Sequence, residues 1–482
     1  MTSAPLVGLR AAALEIRPRR RDRETLLLLA AAVALLVGWI SLSTTEAGRL
    51  AVGDPAPLLA YLAALGLCHL AFVVTGRRTD QVLLPVVGLL GGISLLFMNR
   101  LPQDLVQQQV GPLELTLGPL QLLWLLLSLA VLTVLAIVVR NDSWLRSYKY
   151  SWAVAGVLLL LLVFALGEEV NGARLSLRLG PLAGQPSELL KIILVVFLAG
   201  YLAEYRPLLA GTSLRLGVLR LPPLPYLLPM LAMWGVALAV VVVQRDLGAA
   251  LLFFGVFLAL LYLATQRASF VALGVALAVV GAVLLYLLQA HVRTRFQIWV
   301  DPFATAQGSG YQVVQALYAF GRGGILGTGL GAALPAVSGG VPVPAVHTDF
   351  VFTGLAEELG TTGALAILGL YLVLAERGLR IAAGAADDFR ALLAAGLTLV
   401  IVLQAAIISA GNLKLIPLTG VTLPFVSYGG SSLLASGICV GLLLALSDAG
   451  VEAPPPPGRP GPAERFRRRL AGGRERLGRA VA

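Results

Sequence analysis

Apolar runs longer than about 18 residues recur along this chain from Thr25 onward, each long enough to cross a hydrocarbon layer of roughly 30 Å as an α-helix. Inside a bilayer every backbone N–H and C=O must find a partner within the protein, so only helices and closed barrels can span it. Stretches such as Val157–Val163 and Val236–Val243 are continuously apolar with no period of two, which excludes barrel strands. The 482 residues are 58% hydrophobic and 13% charged. A soluble domain carries roughly 25% charged residues, so a soluble enzyme is excluded as well. The expected fold class is all-α, a polytopic integral membrane protein.

Polar breaks between the runs give about twelve transmembrane helices, near 25–43, 57–76, 81–99, 119–139, 151–167, 185–204, 224–243, 247–265, 269–290, 348–375, 391–411 and 425–446. On this division most of the 36 Lys and Arg fall in the N-terminal arm, the alternate loops of one side and the C-terminal tail, which places both termini in the cytoplasm. The same arrangement explains the net charge of +11 by topology and anionic lipid, with no nucleic acid as partner. Residues 1–24 form a basic arm carrying Arg10, Arg17, Arg19, Arg20, Arg21 and Arg23. The run that follows is too long for a cleaved signal peptide and reads as a retained anchor. Residues 25–448 form the membrane domain, and residues 449–482 a Pro/Arg-rich tail without the apolar surface to fold alone. The longest outer segment, 291–347, is the large extracellular loop and the first place to look for a site.

Charged groups beside or within spans are costly and therefore informative. Arg174 and Arg178 precede Gln185-Pro186-Ser187-Glu188 with Lys191. Glu188 and Lys191 share a helix face and can neutralise each other, either as a packing pair or as a polar pocket beneath a headgroup. Gln244-Arg245-Asp246-Leu247-Gly248 interrupts a very long apolar stretch, and Asp246 suits the N-cap of the next span. The outer loop carries Arg293, Arg295, Trp299, Asp301-Pro302-Phe303 and Gly308-Ser309-Gly310-Tyr311-Gln312, and at its end come His347-Thr348-Asp349 and Glu357-Glu358.

A carboxylate between Trp and Pro with arginines nearby has the parts of a glycosyl or phosphoryl transfer site, a held base with cations for a phosphate leaving group. Asp301 is the best single candidate for that base, although by itself it reads more simply as a turn cap before Pro302. Gly321–Gly331 lacks the strand and lysine of a nucleotide loop and reads as close packing, with Arg322 its one candidate for an anion. Pro424-Phe425 and Ser427-Tyr428-Gly429-Gly430-Ser431-Ser432 open the last span, as a cavity lining or a tight packing surface. Cys68 and Cys439 lie in apolar runs, and His69, His291 and His347 lack ligand spacing, so neither a disulfide framework nor a zinc site is indicated. A divalent cation, Mg or Mn, bridging a substrate pyrophosphate needs only one or two protein carboxylates. No organic cofactor is expected.

With these motifs in order from about residue 171 to 446, the chain resembles the SEDS family, the shape, elongation, division and sporulation proteins represented by RodA and FtsW. Arg245 stands where many members carry Pro, and Leu175 and Leu177 occupy a stretch where many carry Trp. Two extra spans precede the ten-helix core that most members share, which looks most like actinobacterial-type members. The resemblance implies a peptidoglycan glycosyltransferase that polymerises lipid II at the outer face of the bacterial cytoplasmic membrane, for cell elongation or division. It implies Asp301 as catalytic base, with Arg174, Glu188, Lys191, Asp246, Arg295, Gln312, His347, Asp349 and Ser427 at the substrate. It also implies a monofunctional class B penicillin-binding protein as partner. Two other readings stay open: a lipid II flippase, which would depend on Glu188 and Lys191 and tolerate loss of Asp301, and a scaffold needing neither.

Overall fold

The computed structural model describes residues 20–47, 53–110, 113–170, 173–179, 182–211, 214–216, 219–221, 235, 246–333 and 341–448. Eleven helices among them are long and apolar enough to cross a membrane. They are α1 (Asp22–Ala47), α2 (Ala56–Thr75), α3 (Leu83–Arg100), α4 (Leu117–Val138), α6 (Lys149–Leu166) and α7 (Pro186–Gly211), then α8 (Leu247–Thr265), α9 (Ala268–Leu288), α12 (Val351–Ala383), α13 (Asp388–Asn412) and α14 (Gly430–Ser447). The short α5 is Ser143–Ser147. The span expected at 224–243, most of the basic arm and the tail from 449 lie outside the described residues.

Both ends of the described chain lie on the same side of the bundle. Arg77, after α2, pairs with Asp448 at 2.8 Å, and Arg21 donates to the Arg77 carbonyl at 2.9 Å. On that side Arg390 also grips Asp142 with Nε and Nη2 at 3.0 and 2.7 Å. These guanidinium pairs close the ends of helices where carbonyls and charges would otherwise meet headgroups unpaired. The helix stems between them expose Leu, Val and Ile outward, as lipid contact requires.

The last helix shows how the small residues of the C-terminal motif act. A Cβ at Gly430 would lie 2.4 Å from the Trp124 ring, and one at Gly437 would lie 2.5 Å from Ser128 Oγ, so α14 sits directly on α4. Ser128 then donates across the contact to the Leu433 carbonyl at 2.6 Å. The tight-packing alternative for this motif is the one the structure adopts. The helix starts at Gly430 and not at 425, because Phe425 takes a φ of +64° in the turn before it.

The other side of the bundle carries the 291–347 segment, which is far from a plain loop. It contains α10 (Ala290–Val300) and α11 (Tyr311–Gly323). Its backbone is fastened to α12, where Gly360 breaks the helix with φ +69°. Thr328 N and Gly329 N donate to the carbonyls of Glu357 and Glu358, while Thr361 N and Thr362 N donate back to those of Gly324 and Ile325. Gly327 fits this clasp because a Cβ there would stand 2.1 Å from the Glu358 carbonyl oxygen. The glycine-rich 321–331 stretch is thus a close-packing element. Its Arg322 is taken by Glu357 at 2.7 Å, and Arg100 pairs with Glu358 at 2.6 Å.

Candidate active site

Asp301 stands just past the C-terminus of α10, exposed, with its N–H donated to the Gln297 carbonyl. Its Oδ1 accepts from Phe303 N at 3.0 Å and Ala304 N at 3.2 Å, fixing a short turn at 303–305. Among the described residues Oδ2 accepts no bond. The turn-capping role read from Pro302 is therefore real, and it engages only one of the two oxygens. The carboxylate is held at one edge and presented at the other.

It opens on a cleft of two adjoining hollows that share Ile298 and Ser309. The Asp301 hollow, about 490 Å³, is walled by Tyr286, Phe296 and Val300. The second, about 210 Å³, is lined by Arg295, Trp299, Gln312, Asp349, Lys414 and Gly420 among others. Arg295 donates to the Leu418 carbonyl at 2.9 Å and Trp299 Nε1 to the Lys414 carbonyl at 3.0 Å. Lys414 Nζ reaches the Val300 carbonyl at 3.3 Å, one residue from Asp301. These bonds set α10 against the 413–420 turn, so Asp301 and two cations share one frame.

Burial pushes the Asp349 carboxyl up to about 6, against the pull of nearby Arg295. Asp246 caps α8 through Ala249 N at 2.9 Å. Burial raises its carboxyl too, opposed by that hydrogen bond and by the Arg295 and Lys191 charges, while Glu188 adds to the rise. Arg295 thus lies within electrostatic reach of both carboxylates. Gln312 is an exposed wall residue of the cleft. His347 is half-buried beside Tyr428, with ring centroids 6.1 Å apart, and desolvation lowers its basicity.

Beneath lies the membrane pair. Lys191 Nζ is 2.5 Å from Glu188 Oε2 and 2.6 Å from Gln404 Oε1 on α13. Gln404 passes the connection on through Nε2 to the Thr422 carbonyl at 2.8 Å, and Thr422 Oγ1 meets Ser432 Oγ at 2.6 Å. Ser427 is a pin and not a wall: at 2% exposure its hydroxyl donates to the Thr348 carbonyl and accepts from Leu423 N. Arg174 lies on the strand Ala173–Leu179, where its backbone pairs opposite Glu169 of the strand Glu168–Val170, and its side chain lies outside the described residues.

Sequence reasoning missed Lys414, Gln404 and Thr422 as members of this arrangement. Lys414 had one available signal, a lone cation between Asn412 and Pro417 at the end of an apolar span. Gln404 looks like a routine polar residue inside a helix until its partner is known.

The profile of the cell cycle protein family of FtsW, RodA and SpoVE matches residues 80–450. The chain belongs to the FtsW/RodA/SpoVE family. It is 40% identical over 434 residues to the peptidoglycan glycosyltransferase RodA of Mycobacterium tuberculosis, covering 89% of this chain and 91% of that one. Its identity to the probable peptidoglycan glycosyltransferase FtsW of Legionella pneumophila is 36% over 317 residues, covering 64% and 77%. Among solved structures, a chain reported under "Structural coordination of polymerization and crosslinking by a peptidoglycan synthase complex" superposes with TM-score 0.61 at 27% identity, covering 77% of this chain and 98% of that one. A mutant of the rod shape determining protein RodA of Thermus thermophilus gives TM-score 0.52 at 25% identity, covering 77% and 97%. The family region begins at residue 80 and so leaves α1 and α2 of this FtsW/RodA/SpoVE protein outside it, consistent with two helices added ahead of a common core.

Proposed function

We propose that this membrane protein is a peptidoglycan glycosyltransferase that joins lipid II units into β-1,4 glycan strands. Its names among relatives support that reaction, and the geometry that carries the reading is Asp301, tied through Oδ1 and open through Oδ2 at the mouth of a cleft bearing Arg295 and Lys414.

In this reading Oδ2 accepts the proton of the acceptor's GlcNAc 4-hydroxyl as that oxygen attacks the donor's anomeric carbon. The bond from that carbon to the undecaprenyl pyrophosphate breaks, with inversion, and the electron pair leaves on the phosphate oxygen. Arg295 and Lys414 stand where that negative charge grows, already oriented by their carbonyl partners, so little reorganisation is needed. No group of three His, Cys, Asp or Glu that could enclose a metal occurs among the described residues. A divalent Mg or Mn would therefore be held mainly by the substrate's pyrophosphate with one cleft carboxylate, and would neutralise charge on the leaving group. The buried pair of Glu188 and Lys191 reaches through Gln404 to Thr422, two residues past Gly420 of the cleft wall.

The cleft lies on the side opposite the described chain ends, which in this reading is the outer face of the cytoplasmic membrane, with both termini inside. A monofunctional class B penicillin-binding protein is the proposed partner, in keeping with the synthase complex reported for a structural relative.

The test is glycan-strand synthesis from purified lipid II by the protein copurified with that partner, crosslinking blocked, comparing wild type with Asp301→Asn at equal reconstituted amounts. Polymer from wild type alone supports the mechanism. Equal polymer from both removes Asp301 from it, and none from either with an intact complex favours the flippase.

A further inference from the structure

On the side of the bundle opposite the cleft, the start of α1 and the turn between α2 and α3 enclose a hollow of about 390 Å³ lined by Arg20, Asp22, Arg23, Thr79, Asp80, Gln81, Val82 and Arg377. We propose that it binds the phosphate of an anionic phospholipid headgroup. Arg20, Asp22, Arg23 and Thr79 precede the family region at residue 80, so half of its lining lies ahead of that region.

Three guanidinium groups face two carboxylates there, and Arg377 is itself paired, 3.4 Å from Glu376 and facing Asp80, so the cations left over are Arg20 and Arg23. Asp80 is already engaged: its Oδ1 accepts from Val82 N and Leu83 N at 2.8 and 3.1 Å, and its Oδ2 lies 3.7 Å from Arg377. Arg20 and Arg23 are exposed and have no ion pair among the described residues. Arg21, between them, points the other way and is consumed by Glu24 and by the carbonyls of Arg77 and Asp80.

The second observation is independent of charge. Thr79 is 3% exposed, and its hydroxyl has no hydrogen-bond partner, as is also true of Gln81 Oε1 in the same wall. A buried hydroxyl left unmatched costs about 1–3 kcal/mol. A phosphate oxygen seated between the arginines would accept from it, and a side-chain amide of Gln81 could donate to the same group after a flip of its O and N.

The membrane supplies the reason for a lipid and not a free phosphate. Leu26, Val33 and Val37 are exposed and follow Arg23 at helical spacing along one face of α1. A headgroup held at Arg23 would lay its acyl chains along that apolar stripe.

The test uses the full-length protein in detergent, with lipid retention read by native mass spectrometry. Phosphatidylglycerol and phosphatidylcholine of identical acyl chains are the probes, with inorganic phosphate as competitor. Wild type should retain phosphatidylglycerol at least five-fold over phosphatidylcholine, unaffected by millimolar phosphate. Arg20→Gln/Arg23→Gln/Arg377→Gln should abolish the preference, and Thr79→Val, which adds no charge change, should lower it about three-fold. Arg140→Gln/Arg146→Gln removes two exposed arginines on the same side outside the hollow and should leave it intact. Equal loss in that control, an unchanged preference in the triple variant, or displacement of the lipid by inorganic phosphate would each overturn the proposal. All variants are first required to unfold within 3 °C of wild type, and if the triple fails this, Thr79→Val against the control decides.

Discussion

Lys191 on α7 donates to Gln404 on α13 at 2.6 Å, joining two helices that are far apart in the chain and linking a buried charge to Thr422, two residues past the Gly420 that lines the cleft. Removing the cation leaves Glu188 buried at 8% exposure without its partner. Breaking a buried pair from one side costs about 3–5 kcal/mol, whereas replacing both sides can be near neutral. Lys191→Met should therefore lower the thermal midpoint in detergent sharply, and Glu188→Gln/Lys191→Met should recover most of the loss. Equal midpoints for the single variant and wild type would show that the pair carries no such weight.

Asp246 does two things that substitution can separate. As the cap of α8 it accepts from Ala249 N, and Asn can do the same. Asp246→Asn should hold stability within a few tenths of a kcal/mol, while Asp246→Ala should lose about 1 kcal/mol. Its charge, close to Arg295, is lost in both. If that charge orients Arg295 for the leaving group, both variants polymerise lipid II at least ten-fold more slowly, and a fully active Asp246→Asn would confine the residue to capping.

Asp349 makes stability depend on pH. Its folded carboxyl titrates near 6, above the ordinary value of 3.8. Between these values the folded protein keeps a proton that the unfolded chain has released, so stability falls as pH rises through about 4 to 6 and is level above. For a partly exposed group the loss is on the order of 2 kcal/mol. Asp349→Asn should flatten this part of the profile of midpoint against pH, and an unchanged slope would assign it to another group.

Gly360 is the position most sensitive to a single methyl group. Its φ is +69°, and a Cβ there would stand 2.3 Å from Gly327 N and 2.4 Å from the Ile325 carbonyl oxygen. Both contacts are with backbone, which cannot turn aside. Gly360→Ala should cost more than about 3 kcal/mol. Gly369→Ala, in the same helix with open space around it, should be neutral or slightly stabilising. Equal midpoints for the two would dismiss the clasp as a constraint.

Much of this was open to reading in the linear chain, and the rest was closed for identifiable reasons. Long apolar runs announce spans because lipid permits little else, and Glu188 with Lys191 announces a pair because helical spacing puts them together. The motif at Asp301 reads as both a turn cap and a base; the structure shows the cap on Oδ1 and leaves Oδ2 open. Partners distant in sequence were hidden: no local pattern says that Gln404 will meet Lys191, or that Lys414 will come back to Val300. The motif around Ser427 reads equally as a cavity lining or a packing surface, and its burial ties it to the loop that holds His347 and Thr348. The helices inside 291–347 escaped notice because their apolar runs are too short to stand out against transmembrane ones.

The cleft and the ends of the chain lie on opposite faces of the bundle, and in the proposed orientation this has an energetic meaning. Nucleoside triphosphates stay with the termini, so none is at hand on the cleft side to drive each addition. The free energy for elongation has to arrive already stored in the donor, as the bond from sugar to pyrophosphate, and the protein's part is confined to deciding when that bond is released.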